Sequence, residues 1–342
     1  MRDNLFILCC IKVPEGDSTL CSNLACHWYV HSSAWQVPTV HVRGIMSFMF
    51  MWISSFKLLM LSFDVGPLAK PWTMLNLRNF MAVSICPIEI REFGSKPNSP
   101  GKFRTLRNVA LEACLLSVVI YSYSFRNSFS PSFIVLLYCL HIYLALDIVQ
   151  VFLAALANVC LGVQLEPQFN KPYLLRSLQD FWGKRWNLIV TKFFRPSVYD
   201  PILYFCWKVH IKLYKKINEK NQPKEVGGKI PLGPEQLLMF VASGLMHELL
   251  FYYMTETKAS WEVTTFFTLH GLCLTIEIGL RRKVSPYVKV PNFIAIPVTL
   301  TFIYITALWL FFPPVTRFGT DLKAIAEYGT ALQLLFSTNH EC

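Results

Sequence analysis

Charge is what this sequence has least of. Only 15% of its 342 residues are charged, against about a quarter in an ordinary soluble domain. A water-soluble fold of this size would lack the polar surface it needs to stay dispersed. The deficit is concentrated in blocks, with no charged residue between Arg126 and Asp147 or between Lys289 and Arg317. Familiar catalytic signatures are missing too: there is no G-x-S-x-G elbow, no P-loop and no G-x-G-x-x-G turn. His247-Glu248 opens like H-E-x-x-H, but Phe251 stands where the second zinc ligand is required. There is no internal repeat or low-complexity tract. The cysteines do not form a disulfide framework either, because Cys114, Cys139, Cys160 and Cys273 lie inside apolar segments and read as small hydrophobes. Cys21, Cys26, His27 and His31 cluster without the ligand spacing of a structural zinc site, so no metal is expected.

What is present is long apolar sequence. A bilayer core takes about 20 mostly apolar residues per helical span, and Phe293–Phe312 meets this without one ionisable side chain. In lipid every backbone N–H and C=O must be paired internally, and continuous runs without alternation satisfy that as helices, not as a barrel. Candidate spans are 44–63, 73–90, 107–125, 131–161, 198–214, 235–254, 261–280 and 293–313. The second and fifth are weak, since they carry charges or prolines. The expected fold class is therefore all-α, a polytopic transmembrane bundle of about seven or eight helices. The formal charge of +11 arises in loops between spans, as the positive-inside rule produces, and does not imply nucleic acid. Basic loops at 89–107, 166–196, 208–229 and 281–289 all fall on the cytosolic side if an even number of spans separates each pair. That makes 198–214 interfacial or re-entrant. Residues 1–43 fit the pattern poorly, with no run long enough to span and no convincing signal cleavage site. They are expected to be an atypical N-terminal segment, with the membrane domain occupying 44–342.

Ionisable groups inside spans are costly and mark candidate sites. They are His141, Asp147, His247, Glu248, His270 and Glu277. His247 lies about 18 Å along its span at 1.5 Å per residue, near mid-bilayer. Ser243 and Gly244 on the same face leave room for a substrate or for a close helix. A neutral imidazole there can take a proton from a hydroxyl, or can serve packing alone; position leaves both open. His141 and His270 read as interhelical hydrogen-bonders, and the partners of Asp147 and Glu277 are not legible. A second candidate is Ser177–Arg195, dense in aromatics (Phe181, Trp182, Trp186, Phe193, Phe194) and cations (Lys184, Arg185, Lys192, Arg195). This is the pattern of an interfacial amphipathic helix, whose cations would also suit the phosphates of a nucleotide-like carrier.

Two motifs together carry a resemblance. FWGKRWN (Phe181–Asn187) is followed about sixty residues later by SGLMHELLFYY (Ser243–Tyr253). FKLLMLSFDVGPL, LYCLHIYL, EPQFNKPYLLRSLQDFW and WEVTTFFTLHGLC extend the match over Gly44 to Phe312. The pattern resembles the plant wax synthase family, within the membrane-bound O-acyltransferase superfamily. The resemblance implies that His247 is the intramembrane catalytic histidine. It implies that Asn187 is the asparagine ending the aromatic motif that related sterol and diacylglycerol acyltransferases write F-Y-x-D-W-W-N. Here Trp182, Lys184 and Arg185 replace its Tyr, Asp and first Trp, and Phe181, Trp182, Lys184, Arg185 and Trp186 are the substrate-binding candidates. It further implies a fatty acyl-CoA donor and a long-chain alcohol acceptor giving wax ester, with a sterol acceptor as the alternative. No permanently bound cofactor, metal or nucleic acid is implied. The implied setting is a multi-pass protein of the endoplasmic reticulum in contact with membrane lipid, and a homo-oligomer is compatible with it. Members ordinarily carry about two further spans before position 44, so the alternative of a shortened, inactive chain attaches to residues 1–43. A transporter would instead show paired broken helices or repeat symmetry, and neither is found.

Overall fold

The computed structural model describes residues 37–61, 66–69, 80, 82–84, 106–161, 165–201, 234–284 and 290–337. Among them no extended strand occurs, and six helices are long and apolar enough to cross a membrane. α1 (Val40–Leu61) opens the bundle and contains a π-helical stretch at Ser47–Ser54. α2 (Leu106–Ser122) continues through a tighter turn, Tyr123–Ser128, into α3 (Pro131–Leu161). Two short helices follow, α4 (Leu178–Lys184) and α5 (Leu188–Phe194). α6 (Pro234–Thr255) and α7 (Glu262–Val284) form a closely packed hairpin. α8 (Asn292–Thr306) runs on through a π-helical turn at Ala307–Phe311, the short α9 (Pro313–Thr316) reverses the chain, and α10 (Thr320–Ser337) closes it. The weak candidates 73–90 and 198–214 fall almost entirely outside the described residues, as do residues 1–36 and the basic block 208–229. The six spans correspond to the six strong candidates, with boundaries displaced by up to four residues.

Ion pairs sort the loops into two ends. At one end, Arg43 pairs with Glu256, Arg126 with Asp321 at 3.0 Å and Arg317 with Glu262 at 2.8 Å. Glu327 of α10 meets the start of α1 here, accepting from the backbone N–H groups of Val40 and His41 and bonding the His41 ring. Burial raises the Glu327 carboxyl, but these bonds outweigh it and leave the group below the usual carboxylate range. At the opposite end, Gln150 bonds the backbone of Glu166 and Gln168, and Glu277 ties Arg281 to the start of α4. The basic stretch after Glu166 and the one at Arg281 thus share an end. α3 has 31 residues, longer than a bilayer core at about 1.5 Å per residue, and Gln150 within it bonds the loop that follows the helix.

The core is aromatic, built from Tyr123, Tyr138, Phe251, Phe266, Phe267 and Phe312 with aliphatics of α2 and α3. Helix association in lipid gains little from hydrophobicity and depends on close packing. Two glycines set the approach of α6 to α7. A Cβ on Gly244 would lie 2.9 Å from the Thr264 Cα, and one on Gly271 would lie 2.7 Å from the Phe240 Cβ. Gly279, two turns further along α7, has open space around it. Gly271→Ala should therefore destabilise the detergent-solubilised protein by about 1–3 kcal/mol, while Gly279→Ala leaves the thermal midpoint unmoved or slightly raised. Equal midpoints for the two variants would show that the hairpin does not depend on that close approach.

Candidate active site

The α6–α7 hairpin decides where the histidine stands. Its loop is short, and two non-glycine residues in it, Glu256 and Trp261, adopt left-handed backbone angles. Such angles persist only where neighbouring contacts hold them: Glu256 is held by its N–H bond to the Tyr252 carbonyl and by Arg43, and Trp261 by Glu248. The buried Glu248 carboxylate accepts from the Trp261 N–H at 2.7 Å, the Thr264 N–H at 3.1 Å and the Thr264 hydroxyl at 3.2 Å. These are groups of the first turn of α7 that no intrahelical carbonyl reaches, and a negative charge suits that terminus. The acid beside His247 is thus a cap for the next helix.

His247 points the other way. Its Nδ1 lies 2.8 Å from the Ser243 carbonyl oxygen one turn earlier. A carbonyl can only accept, so Nδ1 carries the proton and the neutral ring keeps its lone pair on Nε2. No described residue hydrogen-bonds that atom. Three spans surround the ring with aromatics. Phe267 of α7 stacks on it with centroids 4.2 Å apart. Trp52 of α1 meets it in a T-shaped contact at 4.5 Å, and Phe311, after α8, lies edge-on at 6.3 Å. Sequence reasoning reached the histidine but not this aromatic enclosure, because its members come from separate spans with no spacing relation between them.

The aromatic motif is folded as a helix–turn–helix. Ser177 caps α4 by accepting from the Asp180 N–H at 3.1 Å, and Glu277 of α7 accepts from Leu178 at 2.9 Å. The helix ends where the N–H groups of Arg185 and Trp186 both bond the Phe181 carbonyl. Asn187 follows with φ +44°, a left-handed angle that asparagine tolerates well, and α5 then starts. The Asn187 Oδ1 is buried and has no partner among the described residues, which is uncommon for a polar atom out of water. Both helices flanking Asn187 reach the residues around His247. Trp182 of α4 packs on Phe267 at 5.7 Å, and Phe194 of α5 packs on Trp52 at 5.9 Å.

The remaining candidates take separate places. Phe181 is buried and stacks with Trp186 at 5.4 Å. The Arg185 guanidinium is taken up by Asp180 at 2.6 Å and by the carbonyls of Asn170 and Lys171. Lys184 is exposed at the end of α4. His270 is fully buried; its Nδ1 accepts from the Trp182 indole N–H at 3.2 Å. Its Nε2 therefore donates to the Thr306 hydroxyl at 2.8 Å, which in turn donates to the Phe302 carbonyl. That relay joins α4, α7 and α8 and leaves no free position on the ring. His141 is equally engaged, between the hydroxyls of Tyr123 and Tyr328. Of the three intramembrane histidines, His247 alone offers an unshared ring nitrogen among the described residues.

Comparison with known proteins places this arrangement. Residues 165–269, which hold both Asn187 and His247, match the model of the membrane bound O-acyl transferase family. The chain is 36% identical over 302 residues to an acyl-CoA–sterol O-acyltransferase of Arabidopsis thaliana, covering 85% of this chain and 81% of that protein. It is also 36% identical over 302 residues to a long-chain-alcohol O-fatty-acyltransferase of Simmondsia chinensis, covering 86% and 80%. A probable long-chain-alcohol O-fatty-acyltransferase of Arabidopsis thaliana is 37% identical over 300 residues, covering 86% and 82%.

Removing the Glu248 cap should loosen the hairpin before it touches chemistry. Glu248→Ala orphans three donors at about 1–3 kcal/mol each and should lower the thermal midpoint strongly. Glu248→Gln, which keeps one acceptor oxygen, should fall between it and the parent. If both variants melt with the parent in detergent, the cap is not holding the hairpin.

Proposed function

This chain belongs to the membrane-bound O-acyltransferase family, in its plant wax synthase branch, and on that premise we propose that it joins a fatty acyl group from coenzyme A to a long-chain primary alcohol, giving a wax ester. One observation carries the mechanism. The Ser243 carbonyl holds the His247 proton on Nδ1 and leaves Nε2 as a base.

In the proposed reaction the alcohol hydroxyl hydrogen-bonds Nε2. As the alcohol oxygen attacks the thioester carbonyl carbon, its proton moves to His247. The tetrahedral intermediate then collapses, the C–S bond breaks, and the imidazolium returns the proton to the leaving thiolate. The products are the ester and free coenzyme A, and His247 ends neutral as it began. A general base so placed contributes about 10²–10⁴-fold. The enclosure by Trp52, Phe267 and Phe311 excludes the water that would otherwise compete as acceptor. The buried, unpartnered Asn187 Oδ1 can only accept and is suited to the amide N–H groups of the acyl donor, while the Nδ2 of the same side chain is the group that could donate to the reacting carbonyl.

Lys184, exposed where α4 meets solvent, is the cation suited to the coenzyme A phosphates. Arg185, already bonded to Asp180 and two carbonyls, would hold the loop beside them. Phe181, Trp182 and Trp186 would then line the passage from that loop toward His247. The membrane is proposed to be the endoplasmic reticulum.

A sterol acceptor is the second reading, favoured by the equal identity to a sterol O-acyltransferase. Membranes from a host without its own ester-forming activity separate the two, given labelled palmitoyl-CoA with hexadecanol or a sterol. Wax ester is the expected product, and sterol ester alone would move the acceptor to the second reading. At matched expression, His247→Ala should lower the rate by about 10²–10⁴-fold, and Asn187→Ala by about 10²-fold. Retention of the parent rate by His247→Ala would remove the general base from the mechanism.

A further inference from the structure

The approaches to His247 Nε2 are not equivalent. One face of the ring is covered by Phe267, and the Nδ1 edge is closed by the Ser243 carbonyl. Trp52 and Phe311 are the other described rings beside the imidazole, and they flank the approaches that remain. Both are anchored from behind. Trp52 is 3% exposed and wedged between Phe48 and Phe194, at 5.3 and 5.9 Å. Phe311 packs on Phe251 and Phe266, at 5.2 and 5.3 Å.

Both also sit on π-helical turns, at Ser47–Ser54 and Ala307–Phe311. The Ser54 and Ser55 hydroxyls bond the carbonyls of Met49 and Phe50, five residues back, and the Phe312 N–H bonds the Ala307 carbonyl. A π turn takes an extra residue and re-aims the side chains around it, and such turns are frequent at functional sites. Here two separate spans use one to bring an aromatic ring against the same histidine.

We propose that Trp52, together with Phe311, is the specificity-determining residue for the acceptor, admitting a hydroxyl on an unbranched carbon and rejecting one on a branched carbon. This inference rests on the acyl-transfer reading of His247. At the moment of attack the carbon bearing the hydroxyl lies within two bonds of the atom transferred to Nε2. A primary alcohol presents one chain there, whereas a secondary alcohol, including a sterol's ring carbon, presents two. Anchored rings beside the imidazole leave width for the first and crowd the second, so discrimination acts at the carbinol carbon and not through chain length.

The test compares primary hexadecanol with its isomer bearing the hydroxyl on the next carbon. The two are equal in length and nearly equal in apolar surface. The parent should strongly prefer the primary alcohol. Trp52→Phe and Trp52→Leu should each narrow the preference by about tenfold, the scale on which a methylene is discriminated in an apolar pocket. Phe311→Leu should narrow it independently, so the proposal does not hang on one variant folding. Trp309→Leu removes an exposed ring from the same π turn and should leave the ratio unchanged. Rates for both alcohols that fall in proportion in the Trp52 and Phe311 variants would make those rings structural and overturn the proposal, as would a parent that uses both isomers equally. A parent that esterifies neither isomer yet esterifies a sterol overturns the primary-alcohol reading as well. No ester from any acceptor fails the acyl-transfer reading itself.

Discussion

Within hydrocarbon there is no water to complete an unfinished hydrogen bond, and that condition organises this protein. Several polar side chains in the spans are matched across helices. His270 joins α4, α7 and α8 through Trp182 and Thr306, and His141 joins α3 to the end of α2 and to α10 through two tyrosines. Glu248 and Glu277 each cap a helix that begins beside them. Among the described residues the His247 Nε2 and the Asn187 Oδ1 have no hydrogen-bond partner, and the two lie where α4, α5, α6 and α7 meet.

The same condition explains how the site is assembled. Lipid supplies little drive to bring helices together, so the glycines that let α6 approach α7 set the frame. With Gly244 pressed against Thr264 and Phe267, the next turn of α6 carries His247 directly onto the Phe267 ring. The short helices α4 and α5 then reach in from one end, with Trp182 and Phe194 packing on the residues that touch the histidine. Asn187 stands at the turn between them, held by a left-handed angle and by a backbone bond from Leu188 to Gln168.

Much of this was legible from residue types alone. Long apolar runs with few charges gave the six strong spans, and an intramembrane histidine with small neighbours drew attention to position 247. The motif at Phe181–Asn187 announced its family and its amphipathic character. The roles of the other ionisable groups were harder to see. Glu248 adjoins His247 in sequence, yet it faces the next helix, because adjacent residues on a helix diverge by about 100°. Arg185 reads as a free cation until the fold brings Asp180 and two loop carbonyls to it.

The sequence by itself determined the solvent this protein lives in, its helical class and the residues that can act as base. Those follow from composition and from periodicity along one chain, which lipid enforces locally. Only the tertiary structure decided which histidine is left with an unshared nitrogen and which rings stand around it. A tautomer depends on what faces each ring atom, and an enclosure built by α1, α7 and the end of α8 exists only once those helices have packed.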